Sequence, residues 1–468
     1  MNVLLISAYE LGRQPFGLAS PAAWLRQAGA RVVCFDLSRE TLPAEAVSVA
    51  DLIAFYVPMH TATRLAVALL PSVREMNPHA HICFYGLYAP VNEAYLRGLG
   101  VETILGGEFE EGLRSLAAQL SKKEAAPSTS LPPQQEPVIS LARQNFITPD
   151  RADLPALEKY ARLVMPSGEK RDVGYTEASR GCKHFCRHCP IVPVYRGAFR
   201  VIARDVVLAD IRQQVASGAQ HITFGDPDFF NGIGHAIPLI EAVHREFPRL
   251  TYDVTIKVEH LLKHENCIPQ LCDTGCLFVT SAVESIDDAV LQKLQKNHTR
   301  AHFLLAVEML RKADLAFQPT FVPFTPWTTI EGYCELLELL REHNLVENVA
   351  PIQLAIRLLI PAGSLLLELA EIRGGVGAFD GAALVYPWNH TEPRLDRLCE
   401  TIQGIVHSGE KQRLSRSRIF ERIEDAAFDE ADDSATGRRS AHDGISKRAT
   451  PILAARATVP YLDEPWYC

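Results

Sequence analysis

Arg180-Gly-Cys-Lys-His-Phe-Cys-Arg-His-Cys-Pro190 sets three thiols within eight residues, at the spacing C-x3-C-x2-C. The thiols belong to Cys182, Cys186 and Cys189. A loop of this length can wrap three thiolates around one face of an iron–sulfur cube and leave the fourth iron without a protein ligand. The spacing therefore predicts a metal centre that keeps one position open for chemistry.

A zinc site is the alternative that these residues leave open. Structural zinc usually takes four Cys or His ligands, and His184 or His188 could supply the fourth. The chain would then be a zinc- or iron–sulfur-binding interaction protein on a degenerate barrel. Residues 173–179 alternate as a strand whose carboxyl end leads into the cysteine loop. Because chemistry gathers at this end of the strands in α/β barrels, the position favours a functional centre.

The cysteine spacing resembles the signature of the radical S-adenosylmethionine (SAM) superfamily, in which the free iron of a [4Fe-4S] cluster chelates the amino and carboxylate groups of SAM. The resemblance implies that Cys182, Cys186 and Cys189 hold this cluster. It also implies that one electron splits SAM into methionine and a 5′-deoxyadenosyl radical, which abstracts hydrogen from a substrate. The sequence does not identify that substrate, nor whether the outcome is methylation through cobalamin or another bond change.

Two later segments are similar to the SAM-binding motifs of that superfamily. Residues 221–230 resemble the second-strand motif, and this implies that the backbone at Gly225 and a carboxylate of Asp226 or Asp228 hold the SAM amino group. A buried ammonium needs such an acceptor, although an ordinary Gly-Asp-Pro turn is the alternative. Residues 274–286 resemble the fourth strand, where Glu284 and Ser285 would meet the ribose and carboxylate of SAM or, alternatively, cap a helix.

The position before the third cysteine is commonly aromatic in the superfamily and lies near the adenine, so His188 is a departure that could stack, donate a hydrogen bond or shield the cluster. Residues 317–326 and 351–361 are expected to form strands five and six of a partial (β/α)6 barrel, open on one side. Arg357 interrupts the apolar sixth segment. We expect it to face the lumen and pair with a carboxylate of SAM, substrate or protein, a structural ion pair being the alternative.

Strand-like and helix-like segments alternate through residues 1–120 and predict a doubly wound, Rossmann-like α/β domain with any ligand at the carboxyl ends of its strands. Its Gly-Glu-rich turn at 106–113 resembles that of the cobalamin-binding domains that precede many radical SAM barrels. The D-x-H-x-x-G element that gives cobalt a histidine is absent, since residues 9–14 read Tyr-Glu-Leu-Gly-Arg-Gln. Cobalamin bound without a protein ligand and a domain that has lost the cofactor both stay open. Thr61 or Thr63 is a candidate N-cap of the helix after the third strand.

Residues 121–145 are rich in Pro, Ser and charge and predict a flexible linker. The barrel is expected over 146–375, with residues 149–155 packing between the two domains. Residues 376–468 are expected to form a helical, partly disordered extension, with helices over 395–405 and 418–428. The aromatic tail that ends in Cys468 resembles the radical SAM group whose chains finish Cys-Cys-Ala-Glu-Pro or Cys-selenocysteine-Ala-Glu-Pro. This implies a selenoprotein, an ordinary terminal cysteine being the alternative, and we expect the tail to dock at the barrel mouth.

The composition, with 47% hydrophobic and 22% charged residues, is typical of a globular protein. The net charge of −9 does not indicate a general nucleic-acid-binding protein. No apolar run is long enough to span a bilayer, and the first residues read as a strand rather than a signal peptide. Eleven cysteines, an odd number, fit a reducing compartment. We therefore expect a cytoplasmic enzyme without membrane or nucleic-acid partners, served by an electron donor such as a flavodoxin or ferredoxin.

Overall fold

The computed structural model describes residues 1–125, 136–432 and 457–464, and its first layer is a six-stranded, fully parallel sheet. The strand order is β2-β1-β3-β4-β5-β6. Apolar side chains of the central strands are buried on both faces, as a parallel sheet covered by helices on both sides requires. The strands are β1 (Asn2–Ser7), β2 (Arg31–Asp36), β3 (Leu52–Tyr56), β4 (His81–Tyr85), β5 (Thr103–Gly107) and β6 (Ile139–Ser140).

The helices around this sheet correct one detail of the sequence analysis. The first helix begins at Phe16 and accommodates Pro21 inside it. The third begins at His60 with Met59 at the N-cap and no capping side chain, so the predicted Thr61 or Thr63 cap is wrong. The helices are α1 (Phe16–Gln27), α2 (Ala44–Ser48), α3 (His60–Met76), α4 (Tyr88–Val91), α5 (Glu93–Gly98) and α6 (Phe109–Ala125).

The predicted linker region contributes to this first layer at both ends. Residues 121–125 continue α6, and Ile139–Ser140 pair with Gly106 and Gly107 as the edge strand β6. Residues 126–135 lie outside the described residues.

The second layer is a curled half-barrel sheet with the order β14-β13-β12-β11-β8-β7-β15. Neighbours from β8 to β14 run parallel, and two antiparallel edge strands follow on the β7 side. A small hairpin of β9 and β10 stands beside it. The strands are β7 (Arg162–Val164), β8 (Lys170–Thr176), β9 (Ser179–Gly181), β10 (Phe199–Val201), β11 (His221–Phe224), β12 (Thr251–Thr255), β13 (Cys276–Glu284), β14 (Ala316–Phe321) and β15 (Tyr461–Leu462).

Helices alternate with these strands and bury one large apolar core against the convex face of the sheet. Two long helices, α16 and α17, pack against each other, and α17 packs onto α14; they confirm the helices predicted in the C-terminal region. The helices are α7 (Ile191–Tyr195), α8 (Arg204–Ala216), α9 (Ile233–Glu246), α10 (Val258–Lys263), α11 (Ile268–Asp273), α12 (Asp288–Leu294), α13 (Arg300–Lys312), α14 (Ile330–Glu342), α15 (Ala370–Gly375), α16 (Pro393–Lys411) and α17 (Arg416–Asp432).

The sixth parallel segment is present only as a single bridge between Phe324 and Arg357. Pro351–Leu354 forms a 3₁₀ helix instead of the start of a strand, because the fixed φ of Pro351 suits a first helical position. The side chain of Gln353 accepts from the Phe321 amide at 3.2 Å and so takes the place of a ladder hydrogen bond at the end of β14. The half-barrel is therefore more open on this side than six full strands would make it.

Residues 149–155 connect the two layers, as predicted. The guanidinium of Arg151 pairs with Asp210 at 2.8 Å on the barrel side and donates to the Gln14 amide oxygen at 2.6 Å on the first-sheet side. The tail lies on the β7 edge through β15, and the carboxylate of its Glu464 pairs with Arg39 of the first layer. Among the helices that the structure describes, none combines the length and apolar character needed to cross a membrane. Cys468 lies outside the described residues.

Candidate active site

The cysteine loop leaves β8 through the short strand β9 and returns through α7 and β10. Gly181, directly before Cys182, has φ +72°, and a Cβ there would lie 2.3 Å from the Ala198 carbonyl oxygen, so only glycine fits where the hairpin closes. Cys182 and Cys186 are buried, Cys189 is half-buried, and none of the three forms a disulfide. The loop thus holds three free thiols away from solvent.

Burial raises the pKa of the Cys182 thiol and raises that of Cys189 to about 12. These thiols become thiolate ligands only beside strong positive charge, which the irons of a cluster would supply. The chain contributes donors as well: the Asn231 amide donates to Cys182 Sγ at 3.6 Å, and the buried ammonium of Lys296 interacts with Cys189. The donor set therefore fits a thiolate-bound iron–sulfur cluster.

The two histidines of the loop contact carboxylates. His184 Nε2 lies 3.4 Å from Asp228 Oδ2, and His188 Nε2 lies 3.0 Å from Glu284 Oε1. The zinc alternative needs one of these rings as the fourth ligand beside the thiols, and the contacts of both rings point to other partners.

Asp226 and Asp228 play different parts after β11. Asp226 accepts from the Ala178 amide at 2.9 Å and from the Ser179 hydroxyl, so its carboxylate fixes the entry to the cysteine loop. Burial raises its pKa to about 7. Burial opposes the charge of Asp228 too, but His184 and His260 outweigh it and lower the pKa to about 2. Asp228 therefore carries the charge that faces the site. Gly225 has no room for a side chain, since a Cβ would lie 1.9 Å from the Tyr175 hydroxyl.

Glu284 ends β13 with φ 71°, a left-handed conformation that a bulky residue adopts only under tertiary constraint. Its carboxylate contacts His188 and the Lys296 ammonium, at 3.0 and 3.3 Å. Burial opposes its charge, but Lys296 and His188 lower its pKa to about 2. The helix cap here is Asp287, which accepts from the amides of residues 289 and 290, while Ser285 Oγ accepts from the Asp287 amide. The capping alternative for Glu284 and Ser285 is therefore wrong.

Arg357 pairs with the carboxylate of Asp396 at 2.7 Å and lies 3.8 Å above the Trp388 ring. Of the partners considered for it, the structure shows a protein carboxylate, on α16. The pair fastens the C-terminal helices to the side of the half-barrel where the sixth strand is missing.

Several buried polar atoms at the carboxyl edge of the half-barrel have no hydrogen-bond partner among the described residues. Buried groups of this kind are ordinarily satisfied, so their convergence indicates a site for a polar ligand. These unpartnered atoms are His184 Nε2, His188 Nδ1, Asp228 Oδ2, Asn231 Oδ1, His260 Nδ1 and His298 Nδ1.

Four polar residues at this edge were not predicted from the sequence: Asn231, His260, Lys296 and His298. Their position soon after the ends of strands β11, β12 and β13 is the feature of the sequence that could have identified them.

Comparison with known proteins places the cysteine loop and the following barrel in one family. Residues 176–345 match the family model described as the radical SAM superfamily. A tRNA-2-methylthio-N(6)-dimethylallyladenosine synthase from Syntrophomonas wolfei is 22% identical over 63% of this chain and 65% of its own length. The ribosomal protein uS12 methylthiotransferase RimO of Geobacter sulfurreducens is 26% identical over 36% of this chain and 39% of its own. The chain thus spans between about two fifths and two thirds of the length of these curated relatives.

Two solved structures share the arrangement of both layers. The radical SAM methyltransferase TsrM from Kitasatospora setae, with tryptophan and a SAM analogue bound, has a TM-score of 0.62 at 17% identity and covers 80% of this chain and 77% of its own. The cobalamin-dependent SAM radical enzyme OxsB, with aqua-cobalamin bound, has a TM-score of 0.66 at 14% identity and covers 92% and 71%. At these identities the likeness is one of fold.

Proposed function

We propose that this chain, whose residues 176–345 carry a radical SAM domain, is an enzyme that cleaves SAM reductively at a [4Fe-4S] cluster held by Cys182, Cys186 and Cys189. When bound, the cluster and SAM supply an electron and a carbon–sulfur bond whose cleavage gives methionine and a 5′-deoxyadenosyl radical. The observation that supports this proposal is the set of three free thiols, two buried and one half-buried, beside unpartnered polar atoms at one edge of the half-barrel.

The chain's own residues prepare this edge. The Lys296 ammonium offsets thiolate charge near Cys189 and pairs with Glu284. Glu284 stays ionised, so it can accept hydrogen bonds from a polar ligand such as a ribose hydroxyl. Cys182 and Cys186 are buried, so these sulfur ligands are shielded from water. We propose that a flavodoxin- or ferredoxin-type donor supplies the electron, and we assign no substrate.

Methylation through cobalamin would need a corrin site at the carboxyl edge of the first sheet. Buried oxygens of Glu10, Asp36 and Glu108 at this edge have no hydrogen-bond partner among the described residues, which is compatible with a polar ligand there. We assign no step to cobalamin. Anaerobic incubation with hydroxocobalamin followed by desalting tests the site, since corrin absorbance near one per chain would support methylation and its absence would reject it.

The proposed activity is tested with the anaerobically reconstituted protein, SAM and a strong reductant. We expect four irons per chain and formation of 5′-deoxyadenosine. A zinc content near one per chain without iron, and no nucleoside product, would reject the enzyme and favour a zinc-binding interaction protein.

A further inference from the structure

A second group of metal-ligand side chains lies beside the cysteine loop and is distinct from the three thiols. It consists of His184 in the loop, Asp228 after β11 and His260 on α10, and one ligand atom from each lies within 4.8 Å of the others. The three residues come from loops that follow neighbouring parallel strands, β8, β11 and β12. We propose that this triad binds one divalent transition-metal ion, zinc or ferrous iron.

The ligand atoms are buried and lack other partners. Asp228 Oδ2 lies 2.6 Å from His260 Nδ1 and 3.4 Å from His184 Nε2, yet none of the three atoms makes a hydrogen bond of acceptable geometry. The Asp228 side chain is fully buried, and each histidine side chain is 10% exposed. Three buried polar atoms directed at one another without hydrogen bonds are better satisfied by a shared cation than by each other.

The spacing suits a small ion. Ligand atoms about 2.1 Å from a tetrahedral zinc lie about 3.4 Å apart. Asp228 and His184 already have this separation, whereas the 2.6 Å between Asp228 and His260 is shorter and has to lengthen when the ion binds. Two imidazoles and one carboxylate form a donor set that zinc and ferrous iron take in proteins, usually with open positions for a further ligand.

The surrounding contacts resemble those that orient metal ligands. The other oxygen of Asp228 accepts from the backbone amides of Phe230 and Lys257, at 3.3 and 3.4 Å. The second ring nitrogen of His184 lies 3.6 Å from the Glu259 carboxylate. A ligating histidine generally has a carboxylate on its other nitrogen, and a ligating carboxylate is itself hydrogen-bonded.

This position gives the ion a role at the reaction site. Asp228 lies in the segment whose resemblance assigns it to the SAM amino group, but its free oxygen is directed at the two imidazoles. With three protein ligands, the ion keeps a position open for an oxygen, nitrogen or sulfur atom of a substrate held next to the cluster. The inference therefore concerns substrate binding and does not depend on SAM cleavage.

The test measures metal content of the holoprotein, in which the cluster occupies the thiols. After reconstitution and EDTA treatment, the protein is equilibrated with Zn²⁺ and desalted, and zinc and iron are counted by mass spectrometry. We expect one zinc and four irons per chain in the wild type. His260→Ala should lose the zinc and keep the irons, while the matched variant His264→Ala, one turn further along the chain, should keep both. Wild type without zinc, or equal zinc in His260→Ala, would overturn the proposal.

Zinc-edge X-ray absorption of the wild type covers the case in which His260→Ala does not fold. Imidazole and carboxylate scatterers at about 2.0 to 2.1 Å are expected. Sulfur scatterers at about 2.3 Å would place the zinc on the cysteines and reject the triad. Bound zinc without 5′-deoxyadenosine would leave this inference standing and reject the proposed activity, so the two failures are distinguishable.

Discussion

The carboxyl edges of the two parallel sheets have the same topology and different contents, and strand topology makes both of them candidate ligand sites. Unpartnered buried polar atoms are present at both edges, for example Glu108 Oε1 at the first sheet and Asn231 Oδ1 at the half-barrel. The first edge is joined to the barrel by the Arg180 ion pairs, whereas the half-barrel edge carries the three free thiols of the cysteine loop. The comparison teaches that unpartnered polar atoms alone do not distinguish the reactive edge, and that the thiols do.

The largest effect should follow from Cys186→Ala at the half-barrel edge. Two thiolates cannot hold the cluster stably, so iron content should fall and 5′-deoxyadenosine formation should drop to the background of the reaction without protein. The measurement is iron per chain together with nucleoside product by chromatography.

Cys272→Ala is the matched control, because Cys272 is a half-buried thiol on α11 that donates to the Ala313 carbonyl oxygen. It should keep both iron and product. Turnover of Cys186→Ala equal to wild type would refute the assignment of the half-barrel edge as the reactive one.

Arg180→Ala should destabilise the carboxyl edge of the first sheet. The buried guanidinium pairs with Glu110 at 2.7 Å, Glu177 at 2.6 Å and Glu108 at 3.4 Å. Its removal leaves buried carboxylates uncompensated, which costs about 3–5 kcal/mol in the free energy of unfolding. Arg212→Ala, which breaks an ion pair with Glu246 on the surface, is the control and should cause no measurable loss. A similar, negligible change in both variants would show that the edge is not held by this network.

The pH dependence of stability should reveal the ionisation of the carboxylates at the first-sheet edge. Burial raises the pKa of Glu108 to about 7, so its proton is held more tightly in the folded than in the unfolded chain. The contribution of Glu108 to the free energy of unfolding is present below about pH 4.5 and is lost as the pH rises to about 7. Relative to Glu108→Gln, the wild type should lose about 2–3 kcal/mol between pH 5 and 8 in denaturant titrations.

Comparison with Glu110→Gln should show a pH dependence of stability in the opposite direction. Although burial opposes the charge of Glu110, Arg180 lowers its pKa, so its contribution is lost on acidification. Relative to this variant the wild type should weaken toward low pH. Parallel pH profiles for the two variants would contradict a Glu108 whose pKa is raised by burial beside a Glu110 whose pKa is lowered by Arg180.

The sequence was sufficient for features that repeat along the chain. Strand-like segments predicted the alternating organisation of the first sheet and the barrel strands β8, β11, β13 and β14, and the cysteine spacing predicted the loop that leaves β8. Such patterns are local, because a parallel strand that is buried on both faces consists of a short run of consecutive apolar residues. The prediction of a sixth strand was wrong because Pro351 and Gln353 favour a helical turn, which the apolar composition of the segment does not reveal.

The partners of the polar side chains could not be predicted, because they depend on contacts between distant segments. Asp226 and Asp228 are two residues apart, yet one fixes the cysteine loop and the other faces His184 and His260. Arg180 meets Glu108 and Glu110 across about 70 residues of chain. A carboxylate in a polar turn looks the same in sequence whether it serves the fold or a ligand, and only its three-dimensional partners separate the two.

The smallest effect should come from Arg357→Met, which tests where the reactive edge ends. Arg357 is bound to Asp396 and stacked on Trp388 at a site about one quarter exposed, so its loss should cost about 1 kcal/mol of folding free energy. If the residue is structural, thermal stability falls slightly while the KM for SAM and the yield of 5′-deoxyadenosine stay at wild-type values. Arg357→Lys keeps the charge but not the planar stacking, and it should recover part of the stability. A raised KM for SAM at unchanged stability would instead extend the ligand site to this strand, and the open side of the half-barrel would then belong to the reactive edge.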